Sequence, residues 1–172
     1  MKVLVLGIGN VLMMDDSLGI RAVDELERRF RFPEGVEILD GGTSGIELLS
    51  YLRNKDYLIV IDAVKSGLPP GTVVKAEGDE VPAKFMTRIS PHQLGLSDLL
   101  ATATLSGELP KNMVLFGIEP EVVKLGLELS NSVKKNFDKL IDFVVQELKR
   151  IGCPPEPLAE KNQGKESIWK SI

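Results

Sequence analysis

A short apolar run near the start of the chain is the feature that most restricts the fold. Residues 3–6 combine valine and leucine without a polar interruption, which is typical of a strand buried on both faces of a parallel sheet. The run is followed by Gly7-Ile8-Gly9-Asn10, a short apolar loop and the adjacent carboxylates Asp15 and Asp16. Open α/β sheets bind ligands at their carboxyl edge. The pattern therefore predicts a crevice at the end of this strand, with two acids in it.

Apolar runs alternating with helical patterns define the fold class. The predicted strands are residues 3–6, 36–39, 57–61, 72–76 and 112–118. The connection from the third to the fourth strand is too short for a helical crossover, so we predict that the fourth strand is antiparallel to the third. We expect an α/β three-layer sandwich, in which a five-stranded, mostly parallel twisted sheet carries one antiparallel strand and helices on both faces.

Helix signals support the same architecture. Apolar residues recur at helical spacing from Leu18 to Phe30, and again up to Ile151, where Gly152 follows. Ser44 with Glu47 matches a capping box for a short helix. A second capping box begins at Ser90 and places Pro91 at the favoured first helical position.

The chain is long enough for one compact core. It has 172 residues, of which 43% are hydrophobic. We predict a single α/β domain over residues 1–152 and a proline-containing, mobile tail over residues 153–172. The alternative for the tail is that Ile168 and Trp169 dock on an apolar surface.

Charge and cysteine content exclude several classes of protein. The formal net charge of −4 gives no electrostatic case for nucleic acid binding. One cysteine, Cys153, rules out an intramolecular disulfide and fits a reducing compartment. Glycines interrupt the N-terminal apolar run, and no apolar stretch reaches the roughly 20 residues of a membrane span. We expect a cytoplasmic protein without a signal peptide or membrane insertion.

Three polar residues form the candidate site. Asp62 follows the very apolar third strand, where it would lie at the carboxyl edge, and Asp16 follows the first strand. His92 is the single histidine, and its expected place in a first helical turn favours the neutral imidazole that binds metals. Two carboxylates and an imidazole suit a divalent transition ion with open positions for substrate or water. Taken singly, Asp16 is better explained as a helix cap, and His92 is equally a ligand or an ordinary polar residue.

Other chemistries are poorly supported by the sequence. A dinucleotide-binding fingerprint needs a third glycine where Leu12 stands, although Asp40 ends the second strand where an acid would bind a ribose. A nucleophile elbow needs a glycine where Ile46 stands. Cys153 lies in the tail, so a cysteine–histidine dyad with His92 is not expected.

Five blocks of sequence, in order and spacing, resemble the hydrogenase maturation endopeptidases. The blocks are Gly7-Ile8-Gly9-Asn10 with Asp15-Asp16, Asp40-Gly41-Gly42-Thr43, Ile61-Asp62-Ala63, His92, and Gly117-Ile118-Glu119-Pro120. The resemblance covers residues 1–151 and implies a five-stranded sheet between helices. It also implies that Asp16, Asp62 and His92 match the family's metal-contacting positions. Asp40 matches another characteristic acid, which we include among the candidate catalytic residues in a supporting role.

The resemblance further implies an unusual substrate. Members of this family remove a C-terminal extension from the large-subunit precursor of [NiFe] hydrogenases after nickel has been inserted. Nickel supplied by the substrate would then contact Asp16, Asp62 and His92, for recognition and for catalysis, and other divalent ions would occupy the site in vitro. The alternatives are a non-catalytic, metal-dependent escort module for the hydrogenase subunit, and a nucleotide-dependent enzyme.

Overall fold

The computed structural model describes residues 1–86 and 91–159, with side chains for residues 1–84 and 95–159. Its strands are β1 (Val3–Ile8), β2 (Phe30–Arg31), β3 (Val36–Gly42), β4 (Tyr57–Ala63), β5 (Val73–Glu77), β6 (Asn112–Ile118) and β7 (Glu156–Pro157). Its α-helices are α1 (Leu18–Arg29), α2 (Leu49–Leu52), α3 (Glu80–Met86), α4 (Pro91–Ser106) and α5 (Asn131–Arg150), with 3₁₀ helices at Met14–Ser17 and Ile46–Leu48. No helix in the described ranges is both long and apolar enough to cross a membrane.

The main sheet has five strands in the order β3-β1-β4-β6-β5. β1 pairs in parallel with β3 and β4, β4 pairs in parallel with β6, and β5 runs antiparallel to β6. The predicted fold class is confirmed, including the single antiparallel strand. As predicted, β5 runs antiparallel to β4, but the two strands do not pair, because β6 lies between them.

Helices cover both faces of the sheet and enclose two apolar layers. Alternate residues of β1 and β4 point to opposite faces. On one face, Val5 and Ile59 pack with side chains of α1 and α5. On the other face, Leu6 and Val60 pack with side chains of α2, α3 and α4.

Two predictions about the polypeptide's periphery need correction. The polar sequence of residues 77–82 predicts a loop, but a helix, α3, begins at Glu80. The domain does not end at residue 152, because Cys153 is buried in the core and β7 pairs with β2. The remaining residues of the predicted tail, 160–172, lie outside the described residues, as do Ile168 and Trp169.

The start of α1 lies directly on the carboxyl ends of two central strands. A Cβ atom added at Gly19 would stand 2.2 Å from the carbonyl oxygen of Ile61 and 2.3 Å from that of Ile8. Both neighbours are backbone atoms of the sheet. The helix can therefore approach this closely only because residue 19 has no side chain. This contact sets the position of the Met14–Ser17 turn that precedes α1.

We predict that Gly19→Ala destabilises the fold by about 2–3 kcal/mol or more, because the methyl group forces the helix away from the strands. The control is Gly107→Ala, where φ is +70° and no atom lies within 4 Å of the added Cβ. That variant should lose about 1 kcal/mol, the backbone cost alone. Urea denaturation measures both losses, and equal losses would show that the helix shifts without cost.

A polar cluster of two buried residues and the exposed Arg150 connects α5 to the amino end of β4. Tyr57 Oη donates a hydrogen bond of 2.6 Å to Glu147 Oε1, and Arg150 Nη2 donates to the same carboxylate oxygen at 2.6 Å. Arg150 Nη2 also donates to Tyr57 Oη at 3.0 Å. The hydrogen bond from Arg150 lowers the pKa of Glu147 despite its burial. Burial, together with the hydrogen bond to Glu147, raises the pKa of Tyr57 to about 12.

This raised pKa predicts a loss of stability at alkaline pH. The unfolded tyrosine ionises from about pH 10, whereas the folded one stays neutral up to about pH 12. Tyr57 therefore contributes its full stability below about pH 10 and loses it as the pH rises towards 12. The stability advantage of the wild type over Tyr57→Phe should shrink across this window. Urea denaturation at pH 8 and pH 11 tests it, and a constant difference would contradict the assignment.

Candidate functional site

Asp62 lies in a fully buried position at the carboxyl end of a central strand. It belongs to β4 rather than following it, and its relative exposure is 0%. Because Leu58 and Val60 face α2, α3 and α4, strand alternation puts Asp62 on that same face. Its partner in the ladder is Gly117 of β6, where an added Cβ would stand 2.5 Å from the Asp62 carbonyl oxygen.

Asp16 lies in the 3₁₀ helix that connects β1 to α1. This helix packs against β4, so the backbone of Asp16 lies beside the strand that carries Asp62. Asp16 is 7% exposed. The N–H of Asn10 donates to its carbonyl oxygen at 3.1 Å and to its Oδ2 at 3.3 Å. An added Cβ at Gly9 would stand 1.9 Å from the Asp16 carbonyl oxygen. Gly9 therefore accommodates the turn that holds Asp16.

Asp15 has a structural role that differs from that of its neighbour. Its Oδ2 accepts hydrogen bonds from the N–H groups of Glu121 and Val122, both at 2.9 Å, and its Oδ1 accepts one from Ser130 at 2.6 Å. The carboxylate is completely buried. It fastens the loop of residues 119–130, which follows β6, to the loop that follows β1. Met14, with φ of +45°, precedes the pair in a conformation that is rare for a residue with a side chain.

Glu119 holds a second loop in the same way. It is 4% exposed, and its carboxylate accepts hydrogen bonds from the N–H groups of Ser66 at 2.6 Å and Gly67 at 3.3 Å. These residues begin the loop that follows β4. The sequence alone does not separate the roles of Asp15 and Glu119. Each carboxylate lies in the connection that follows a strand, and a ligand-binding acid gives the same signal.

The helix that carries position 92 packs on the face of the sheet that Asp62 shares. α4 begins at Pro91, as predicted, while Ser90 of the expected capping box lies outside the described residues. Gly95 of α4 contacts the loop after β3, since a Cβ added at Gly45 would stand 2.8 Å from the Gly95 Cα. The first turns of α4 therefore lie beside that loop. The side chain of His92 is outside the described side chains.

Asp40 is placed at the periphery of this edge. It is exposed, and its Oδ1 accepts a hydrogen bond of 2.9 Å from the N–H of Gly42. In the sheet order, β1 separates its strand from β4, which corresponds to about 10 Å between strand axes. The visible role of Asp40 is to close a turn, and its supporting part in the chemistry stays a prediction.

The arrangement offers two nearly or fully buried carboxylates at one edge of the sheet. Among side chains 1–84 and 95–159, no three His, Cys, Asp or Glu residues stand close enough together to hold a metal ion. The predicted set of Asp16, Asp62 and His92 includes one side chain outside that range. Carboxylates at this position suit a cation or a general base. Gly9 leaves room for a backbone atom of the turn that follows β1. This close packing, rather than phosphate binding, is the physical reason for glycine at this position.

Comparison with known proteins identifies the family. The family model described as hydrogenase maturation protease matches residues 20–147. The chain is 42% identical over 158 residues to the hydrogenase 2 maturation protease of Escherichia coli K12, covering 91% of this chain and 96% of that protein. The chain belongs to the hydrogenase maturation protease family.

Solved structures of this family share the fold. The hydrogenase maturating endopeptidase HybD from E. coli superposes with a TM-score of 0.88 at 42% identity, covering 91% of this chain and 98% of that one. The [NiFe] hydrogenase maturation protease HybD from Thermococcus kodakarensis gives a TM-score of 0.71 at 31% identity, covering 86% and 99%. The predicted family and the prediction of an endopeptidase are confirmed, so a non-catalytic escort module and a nucleotide-dependent enzyme are not supported.

Substitutions of the adjacent Asp15 and Asp16 should lower the stability of the fold by different amounts. Asp15→Asn places an amide donor next to backbone donors and should cost about 2–4 kcal/mol, because three backbone N–H groups, one of them buried, lose a charged acceptor. Asp16→Asn keeps an oxygen for the N–H of Asn10 and should cost about 1 kcal/mol or less. Urea denaturation gives these losses, and hydrogen exchange should show faster exchange of the Val122 and Ser130 amides in Asp15→Asn alone. Equal stability of the two variants would refute the division of roles.

Proposed function

We propose that this protease removes a C-terminal extension from the large-subunit precursor of a [NiFe] hydrogenase. Membership of the hydrogenase maturation protease family supports the substrate class. The observation that carries the proposal is Asp62, a completely buried carboxylate at the carboxyl end of a central strand. Burial strengthens the electrostatic effect of such a carboxylate on a bound cation or on a proton, which suits it to metal contact or to proton transfer.

In this proposal Asp16, Asp62 and His92 contact the nickel ion that the precursor already carries. The packing of the Met14–Ser17 helix against β4 brings the backbone of Asp16 next to the strand of Asp62. α4 covers the face on which Asp62 lies. Two carboxylates and an imidazole are suitable ligands for a divalent transition ion. Nickel then belongs to the substrate and reports that the precursor has been loaded.

Two chemical roles are available to these residues. A divalent ion polarises a carbonyl oxygen and lowers the pKa of bound water. A carboxylate of Asp16 or Asp62 that is not bound to the metal acts as a general base towards water. Cleavage needs both a positioned peptide bond and an activated water molecule. The buried position of the two acids excludes bulk solvent, which strengthens their electrostatic effect on a bound peptide.

Asp62→Asn should lower the rate of precursor processing by at least about 100-fold, because the amide neither binds a cation as well nor accepts a proton. The matched control is Asp56→Asn. Asp56 precedes the same strand at its amino end, and its Oδ2 accepts a hydrogen bond from the N–H of Lys2 at 2.7 Å. The control should process at the wild-type rate. Mass spectrometry of purified, nickel-loaded precursor measures the release of the extension.

A second precursor preparation separates recognition of nickel from general proteolysis. Wild-type protein should release the extension from nickel-loaded precursor and leave nickel-free precursor intact. Equal cleavage of both preparations would contradict the role of nickel. Normal processing by Asp62→Asn, with its circular dichroism spectrum unchanged, would contradict the proposed site.

A further inference from the structure

Exposed apolar side chains concentrate at the carboxyl edge of the sheet. Among the described side chains, eight large hydrophobic residues are exposed. Five of them lie in the connections that follow the carboxyl ends of the four parallel strands: Leu12, Ile46, Leu68, Val123 and Leu125. Soluble domains expose single apolar residues everywhere. Concentration around one edge is a different pattern and marks an interaction surface.

These five residues, which we call the apolar rim, surround the two buried acids. Ile46 follows β3 at one side of the sheet, and Val123 and Leu125 follow β6 at the other. β1 and β4 lie between those strands. Asp16 and Asp62 are therefore central and buried, whereas the rim is peripheral, with Leu125 79% exposed and Leu12 53% exposed.

The rim is held in place by the site's own backbone connections. Gly126 N–H donates to the Leu12 carbonyl at 2.9 Å, and Met14 N–H donates to the Gly126 carbonyl at 2.9 Å. These bonds join the loop after β1 to the loop after β6. The Asp15 carboxylate adds three hydrogen bonds to the same connection. Glu119 fixes the backbone immediately before Leu68.

Rigid backbone under exposed leucines has a physical consequence. A surface that is already ordered loses little conformational entropy when it binds a partner. Burial of the exposed apolar side chains in the partner then contributes favourable binding free energy. The rim is therefore suited to bind the surface of another protein. Its position around the candidate site restricts which protein can bind there.

We propose that the apolar rim binds the folded body of the hydrogenase large-subunit precursor, outside the extension that is removed. This inference rests on the proposed function. A second copy of this chain on the rim would cover the edge at which the substrate must enter. The extension has to reach the buried acids at the centre, so it does not cover rim residues on both flanks at once. The body of the same substrate remains as the occupant.

Leu125→Ser tests the proposal, since a residue that is 79% exposed is replaced without disturbing the core. We expect KM for nickel-loaded precursor to rise about tenfold, with kcat unchanged. Leu105→Ser is the matched control. Leu105 is 90% exposed near the end of α4, and residues that follow it line a cleft with Asp56 and Asn112 at the amino edge. The control should leave KM and kcat at wild-type values.

A binding experiment without cleavage separates this proposal from the proposed function. The probe is nickel-free large subunit truncated before the extension, titrated calorimetrically. Wild-type protein and Leu105→Ser should bind it, and Leu125→Ser should bind about tenfold more weakly, whether or not processing is observed. Binding of a synthetic extension peptide, with none of the truncated subunit, would overturn the proposal. So would a wild-type dimer in sedimentation that Leu125→Ser dissociates.

Discussion

The buried carboxylate of Asp15 is the interaction on which the arrangement of the edge depends. It accepts three backbone N–H groups that lie 106, 107 and 115 residues further along the chain. Hydrogen bonds to a charged acceptor are about twice as strong as neutral ones, and these are shielded from water. By fixing the loop after β6 to the loop after β1, Asp15 defines the wall beside Asp16. Loss of this carboxylate would remove the acceptor of three backbone donors at once, including the buried N–H of Ser130.

Close backbone approach complements that electrostatic connection. The start of α1 contacts the carbonyl oxygens of Ile8 and Ile61 at Gly19, and the turn before it contacts Gly9. A side chain at either glycine would move the turn that carries Asp16 away from the strand that carries Asp62. Glycine is therefore required here for proximity between two segments of backbone. Together, the glycine contacts and the Asp15 carboxylate hold the turn that carries Asp16 beside the strand that carries Asp62.

The sheet and the helices were predictable because their sequence signals are local. The features that differ from the prediction depend on partners far away in the sequence. Uninterrupted apolar runs identified β1 and β4, and periodicity identified α1 and α5. The position of β5 depends on β6, which comes about 35 residues later, and no local pattern contains that information. β2 and β7 have two residues each, too few for any periodicity. Asp15 and Asp16 are chemically identical in the sequence. Their roles diverge through the positive φ of Met14 and through N–H groups of a loop far along the chain.

The acids and the apolar side chains at the carboxyl edge are suited to different tasks, the acids to chemistry and the apolar side chains to recognition. Asp62 is 0% exposed and Leu125 is 79% exposed, although both belong to the carboxyl edge. Burial strengthens the electrostatic influence of a carboxylate but gives it little surface with which to select a protein. Exposed leucines supply surface but no chemistry. Under the proposed function the protease needs both properties, and a parallel sheet provides them at one edge: strand ends hold the acids, and the connections that leave those ends carry the apolar rim.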